Sequence, residues 1–162
     1  MYLINNRSVI PRTQLVFPAF NVKYFESAAR SAADQIIADL EDACPTEWKG
    51  ERSRAVLVEQ LKQQSFANKI VSFRPNEYHS EYFFGDLETI VTGAPNTFHS
   101  IVLPKVQSAA EILETAEYLT VLERRAGWTM RLRIECLIET PRALLAIEQL
   151  AQASQRITGL IF

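Results

Sequence analysis

The stretch IIADLEDACP, residues 36–45, starts as a hydrophobic run and ends with Asp39, Glu41 and Asp42 crowded together. Carboxylates this close repel one another unless cations or hydrogen-bond donors face them. Asp39 and Glu41 are two apart, so in an extended chain both point to one side. A hard divalent cation such as Mg2+ suits these oxygen donors. It keeps several waters and takes one or two protein carboxylates together with substrate oxygens. Charged residues end other hydrophobic runs too: Arg74, followed by Pro75 and Asn76; Lys105, after Pro104; and Glu139, before Thr140. An arginine grips a substrate carboxylate through a planar fork that lysine cannot copy. A divalent ion can hold a 2-oxo acid and stabilise the enolate that forms when a C–C bond breaks. Arg74 and Glu139 are the natural candidates for these two tasks.

The runs that must position these residues are 14–19 (QLVFPA), 35–41 (QIIADLE), 69–75 (KIVSFRP), 100–105 (SIVLPK), 131–139 (RLRIECLIE) and 156–162 (RITGLIF). Each is nearly continuous in apolar character, which predicts strands buried on both faces of a parallel sheet. Helical patterns lie between them. Residues 24–34 carry apolar positions at helical spacing, and residues 47–64 put Ala55, Val58 and Leu61 on one stripe. Residues 108–127 open with a capping box, Ser108 and Glu111, and stop near Gly127. Residues 140–154 start with Thr140 as N-cap and Pro141 at the first helical position. The connection around FFGDLETIVTG (83–93) is shorter.

Alternating strands and helices imply right-handed crossovers and a parallel sheet. An open doubly wound sheet and a section of a (β/α)8 barrel both satisfy the pattern. An open sheet of the dinucleotide-binding type has a glycine-rich turn after its first strand. Here that turn reads FPAFNVKYF, without a glycine, which favours the barrel. The charged residues then all sit at the C-terminal ends of strands, where barrel enzymes carry their chemistry.

With 162 residues and 48% hydrophobic content, the chain has enough material for one domain with a core. A net charge of −2 gives no basic field to attract nucleic acid. No apolar run is long enough to cross a membrane, and no signal peptide opens the chain, so a cytoplasmic protein is expected. Cys44 and Cys136 have no CxxC spacing and read as free thiols. Trp48 and Trp128 are expected to pack, and His79 and His99 to be solvated in loops. Arg124 and Arg125 complement the dipole at a helix end.

The same residues carry a family resemblance. The segments RSVI…LVFPAFN, ADQIIADLEDA, SFRPNE, IVLPKVQSAAEI and ECLIETPRALLAIEQLAQASQRITGLIF resemble the citrate lyase β-subunit group. That group belongs to the wider HpcH/HpaI aldolase family of Mg2+-dependent C–C lyases. The resemblance implies a (β/α)8 TIM barrel of the citrate lyase β type. Residues 1–162 would form a single domain of about six strands and five helices, the N-terminal part of the barrel without its last strands. It further implies retro-Claisen or retro-aldol cleavage of a 3-hydroxyacyl thioester, such as a citryl or malyl thioester. The products would be an acetyl thioester and a 2-oxo acid, with coenzyme A or an acyl carrier bearing the acyl group. In this resemblance Glu139 of LIET is a Mg2+ ligand, and its partner carboxylate lies beyond Phe162. Arg74 of FRPN binds the substrate carboxylate, Pro18 and Lys105 contribute to the substrate site, and Glu41 and Asp42 join Arg74 in catalysis. Asp39 lies beside the metal and its waters. A homo-oligomer, trimer or hexamer, is expected. The family's Pro-Gly after the first strand is Pro18-Ala19 here, a family lysine in the first helix is replaced by Ser27, and Arg52 and Arg54 flank the place of a family arginine. The alternative is a non-catalytic truncated homologue that serves as a binding or scaffold subunit.

Overall fold

The computed structural model describes the backbone of residues 2–4 and 7–162, and the side chains of Tyr2 and residues 10–162. A short antiparallel pair, β1 (Tyr2–Ile4) and β2 (Arg7–Val9), precedes the main sheet. Six parallel strands follow: β3 (Gln14–Pro18), β4 (Gln35–Asp39), β5 (Ile70–Arg74), β6 (Ser100–Leu103), β7 (Arg133–Leu137) and β8 (Ile157–Ile161). The helices are α1 (Val22–Arg30), α2 (Glu51–Gln63), α3 (Phe83–Gly93), α4 (Ala109–Ala126), α5 (Pro141–Leu145) and α6 (Ile147–Gln152), and a 3-10 turn spans Thr46–Trp48.

The spatial order of the sheet, β3-β4-β5-β6-β7-β8, is the order of the chain. A doubly wound sheet reverses direction at a switch point. Here every right-handed crossover advances the same way, so all helices lie on one face, as in a (β/α)8 barrel. β3 and β8 form the two edges and pair with no further strand among the described residues.

Strand alternation sorts the side chains. One face packs against the helices: Phe17, Ile36, Ala38, Phe73, Ile101, Ile134 and Cys136 join Leu57, Phe83, Leu87, Ile90 and Leu119 in one core. Each large side chain buried there contributes about 1.5–3 kcal/mol. The other face is less apolar than the sequence suggested. At its N-terminal end, buried Glu135 accepts hydrogen bonds from Tyr2 Oη, from Gln35 Nε2 at 2.6 Å, from Ser100 Oγ at 2.9 Å and from Gln14 Nε2 at 3.0 Å. Ser72 bridges Gln35 and Ser100, at 2.9 and 2.6 Å. These polar residues tolerate burial because each satisfies another.

Helix ends follow their capping chemistry. Ser108 accepts from the Glu111 N–H, and the Glu111 carboxylate returns a bond to the Gln107 N–H at 3.0 Å. Gly127 ends α4 at φ 70°. Thr140 accepts from the Ala143 N–H at 3.0 Å. The helix expected over 140–154 is instead two, α5 and α6, because Ala146 leaves helical geometry at φ −104°, ψ 13°. There are thus six helices among the described residues, against about five expected. The stripe of α2 also differs: Ser53, Leu57, Gln60 and Leu61 are buried, while Ala55 is exposed. Gly93 admits the Val58 methyls to 3.0 Å of where its own Cβ would stand, which seats α3 on α2. No helix among the described residues is long and apolar enough to cross a membrane.

His99 is not a solvated loop residue. It is partly buried just before β6, and its Nδ1 accepts from the Val71 N–H at 3.1 Å. Burial lowers its pKa below 6.5. The unfolded chain therefore takes up a proton that folded His99 refuses, and stability falls as pH drops below about 6.5 toward the folded pKa. In His99→Asn the amide oxygen can still accept from Val71, but nothing titrates. Thermal melts at pH 7.5 and 5.5 should show a smaller acid-induced drop for this variant than for the parent. Equal drops would contradict the assignment.

Candidate active site at the C-terminal ends of the strands

The register pairs Pro18 with Asp39 and Asp39 with Arg74, so the ends of β3, β4 and β5 are level. Asp39 is fully buried. Its Oδ1 accepts from Arg74 Nε at 2.6 Å and from the Glu41 N–H at 2.9 Å. Its Oδ2 accepts from Arg74 Nη2 at 2.5 Å and from the Ala43 N–H at 2.9 Å. One carboxylate thus orients the arginine and folds the Glu41–Ala43 loop. Burial pulls the Arg74 pKa down, but Asp39 and Glu41 more than offset this and hold the guanidinium charged.

The loop then presents its own acids. Glu41 is buried and Asp42 exposed. Lys105 Nζ binds Glu41 Oε1 and lies 3.2 Å from Asp42 Oδ1, and Arg74 Nη1 lies 3.4 Å from Glu41 Oε2. Burial raises the Glu41 pKa above the usual carboxylate range, Lys105 only partly opposing it. Partial burial also pushes Asp42 up, yet Lys105 and the hydrogen bond with Glu41 bring it below its ordinary value. Two adjacent carboxyls therefore differ in proton affinity, the kind of split that separates acid from base roles. The Lys105 ammonium is in turn strengthened by Glu41.

Lys105 joins the two halves of the mouth. Its backbone N–H donates to Glu139 Oε1 at 2.7 Å, while its side chain reaches Glu41 and Asp42. To do so it adopts φ 49°, in the left-handed region. The other non-glycine residues found there are Asn68 and Asn96, a type that tolerates it. Strain of this kind collects at functional sites. By contrast Ala19, where the resemblance led us to expect glycine, has no positive φ, and its N–H donates to the Asp39 carbonyl at 2.9 Å.

Asp39, Glu41, Asp42, Arg74, Lys105 and Glu139 are thus brought together, with Pro18 beside Asp39. Four carboxylates meet two cations, leaving two formal negative charges. No three His, Cys, Asp or Glu side chains among the described residues form a metal-holding group. Glu41 and Asp42 are turned to Lys105, and exposed Glu139 keeps Oε2 free of hydrogen bonds among the described residues. This donor set fits one carboxylate of a Mg2+ site.

Sequence reasoning missed a buried network behind the mouth. Lys49 Nζ donates to Asn76 Oδ1 at 2.6 Å, Asn76 donates to Asp86 at 2.8 Å, and Arg54 Nε donates to Asp86 at 2.7 Å. Gly85 admits the Arg54 guanidinium to 2.7 Å of where a Cβ would be. A polar Asn76 directly after Arg74-Pro75 and an Asp86 inside an apolar helix were the available signals. Arg52 instead lies over the Trp48 ring at 4.2 Å.

The two neighbouring acids have opposite mechanical weight. Asp39→Ala strands a largely buried guanidinium and two backbone N–H groups and should cost about 3–5 kcal/mol in urea unfolding. Asp42→Ala removes an exposed acid and should stay within about 0.5 kcal/mol. At Lys105, glycine should be more stable than alanine by about 1 kcal/mol, because only the backbone conformation separates the two variants. A lower melting temperature for Lys105→Gly than for Lys105→Ala would refute the strain.

Residues 12–162 match the model of the HpcH/HpaI aldolase/citrate lyase family. The chain is 30% identical over 149 residues to the L-malyl-CoA/beta-methylmalyl-CoA lyase of Cereibacter sphaeroides, covering 92% of this chain and 46% of that protein. It is 28% identical over 153 residues to citrate lyase subunit beta of Haemophilus influenzae, covering 92% of this chain and 50% of that protein. Among solved structures, the Haloferax volcanii malate synthase pyruvate/acetyl-CoA ternary complex superposes with a TM-score of 0.80 at 22% identity, over 93% of this chain and 47% of that one. The chain spans about half the length of the curated relatives it matches. On the family match, the shared singly wound sheet and the ordered strand-end residues, this chain belongs to the HpcH/HpaI aldolase/citrate lyase family.

Proposed function

We propose that the protein is a Mg2+-dependent carbon–carbon lyase that splits a 3-hydroxyacyl-CoA thioester, of the malyl, citramalyl or citryl kind, into an acetyl or related thioester and a 2-oxo acid. The observation that carries this reading is the convergence of Arg74, Glu41, Asp42, Lys105 and Glu139 at one end of the sheet in a chain of this family. Asp39 fixes the Nε and Nη2 edge of the Arg74 fork, and Nη1, 3.4 Å from Glu41 Oε2, is the edge that would turn to the substrate carboxylate. Asp42, exposed and ionised, takes the proton of the substrate hydroxyl. The C–C bond then breaks, the carbinol carbon becomes the carbonyl of the 2-oxo acid, and the electron pair passes to the thioester enolate. A proton delivered to the enolate carbon from solvent completes the acetyl thioester, and Asp42 returns the proton it took to solvent, so protons balance and no oxidant or reductant is consumed. Lys105 pairs with Glu41 and Asp42 and keeps Glu139 in place through its N–H. A divalent ion bound through Glu139 would supply Lewis-acid polarisation of the 2-oxo acid oxygen. A scaffold role is favoured by one observation: both cations of the mouth already face acids.

Release of 2-oxo acid from malyl-CoA, followed as its phenylhydrazone, tests the reading. Cleavage should require Mg2+, stop with chelator and resume on readdition. Glu139→Gln should lower kcat/KM by at least ~100-fold, about 2.7 kcal/mol, with an unchanged melt. Full activity in Glu139→Gln would remove Glu139 from the metal site, and no cleavage of malyl, citramalyl or citryl thioesters would favour the scaffold.

A further inference from the structure

The opposite end of the sheet carries a second concentration of chemistry. A cleft of about 220 Å3 opens where the chain enters β6 and β7, with Phe98, His99, Trp128, Met130, Arg131 and Arg133 among its walls. The aromatic wall is rigid. The Trp128 indole packs edge-on against Phe98, centroids 4.9 Å apart, and its Nε1 donates to the Val91 carbonyl at 2.9 Å. Met130 is 44% exposed and gives an adaptable lip. Neither the Arg131 nor the Arg133 guanidinium has an ion pair or hydrogen bond among the described residues. Arg124, equally unpaired, lines an adjoining cavity that shares Trp128, Met130 and Arg131 with the first. Buried Arg156 also lines it, and its Nε finds no partner although its other nitrogens bind Glu123.

Two arginines without an acidic partner among the described residues, Arg131 and Arg133, thus line the aromatic cleft, and a third, Arg124, lies in the adjoining cavity. Nearby on this end, Arg12 pairs with Asp34 and buried Arg156 with Glu123. A cavity of about 150 Å3 accommodates a benzene ring, so this cleft has room for one ring and a small substituent. Guanidinium forks at the rim select a carboxylate for that substituent.

We propose that this cleft binds a small aromatic carboxylate, with its ring against Phe98, Trp128 and Met130 and its carboxylate on Arg131 and Arg133. The site lies at the N-terminal ends of the strands, away from the lyase mouth, and is independent of the proposed activity.

Benzoate is the probe, and the indole N–H resonances of Trp128 and Trp48, assigned with Trp48→Phe, are the readout. Benzoate should shift the Trp128 signal saturably and leave that of Trp48, beside the mouth, in place. Benzyl alcohol and acetate should each bind at least ~10-fold more weakly, since one lacks the charge and the other the ring. Arg131→Gln/Arg133→Gln should weaken benzoate at least ~10-fold with an unchanged melt, and Glu139→Gln should leave it unaltered. The proposal is overturned by no saturable Trp128 shift up to about 10 mM benzoate. Equal binding of benzyl alcohol, undiminished binding by the folded arginine variant, or a response centred on Trp48 would overturn it as well.

Discussion

The Asp39 carboxylate is the interaction on which the mouth depends. It is fully buried at the end of β4, and four donors converge on its two oxygens: two from Arg74 and one each from the Glu41 and Ala43 backbones. A buried charge is tolerable only when it is paired and hydrogen-bonded. Here the requirement is met by the groups that must be positioned. The arginine is aimed by the acid that stabilises it, and the loop carrying Glu41 and Asp42 is folded by the same oxygens. Geometry at the mouth is therefore held by strand ends rather than by a mobile loop.

From that anchor the charges alternate across the mouth, Asp39 to Arg74, Arg74 to Glu41 and Glu41 to Lys105, and the Lys105 backbone N–H then holds Glu139. Each link is short, and most are partly shielded from water, so the local field is strong and little screened. Burial raises Glu41 while Lys105 and Glu41 lower Asp42, so proton affinity differs between residues adjacent in sequence. The chain of pairs leaves an excess of negative charge, which suits a divalent cation. The positive φ of Lys105 is the conformational cost of closing the chain.

The inner face of the sheet is layered along the strands. Charges occupy its C-terminal end, and apolar Ile37 and Val102 its middle. The Gln14–Gln35–Ser72–Ser100–Glu135 network occupies the N-terminal end. The apolar middle separates two polar regions that would otherwise share water. This layering gives physical content to the separation between the charged mouth and the arginine-rimmed cleft.

Much of the architecture was legible in the sequence. Six apolar runs alternating with capped helical patterns specify parallel βα units, because period and capping chemistry are local properties. The strand ends were legible as well, since charge following an apolar run marks where a strand leaves the core. Local patterns do not reveal what a buried polar residue pairs with. Gln35, Ser72 and Ser100 lay unnoticed in apparently apolar strands, and His99 was read as solvated, because their partners are distant in sequence. The choice between open sheet and barrel rested on a missing glycine until the strand order decided it. By itself, then, the sequence determined the units, their order and the residue types at each strand end. Only the tertiary structure decided that Asp39 turns to Arg74, that Lys105 links Glu41 to Glu139, and that Arg124, Arg131 and Arg133 meet no acid among the described residues. Pairing depends on which strand ends lie level, and that registry exists only once the sheet has assembled.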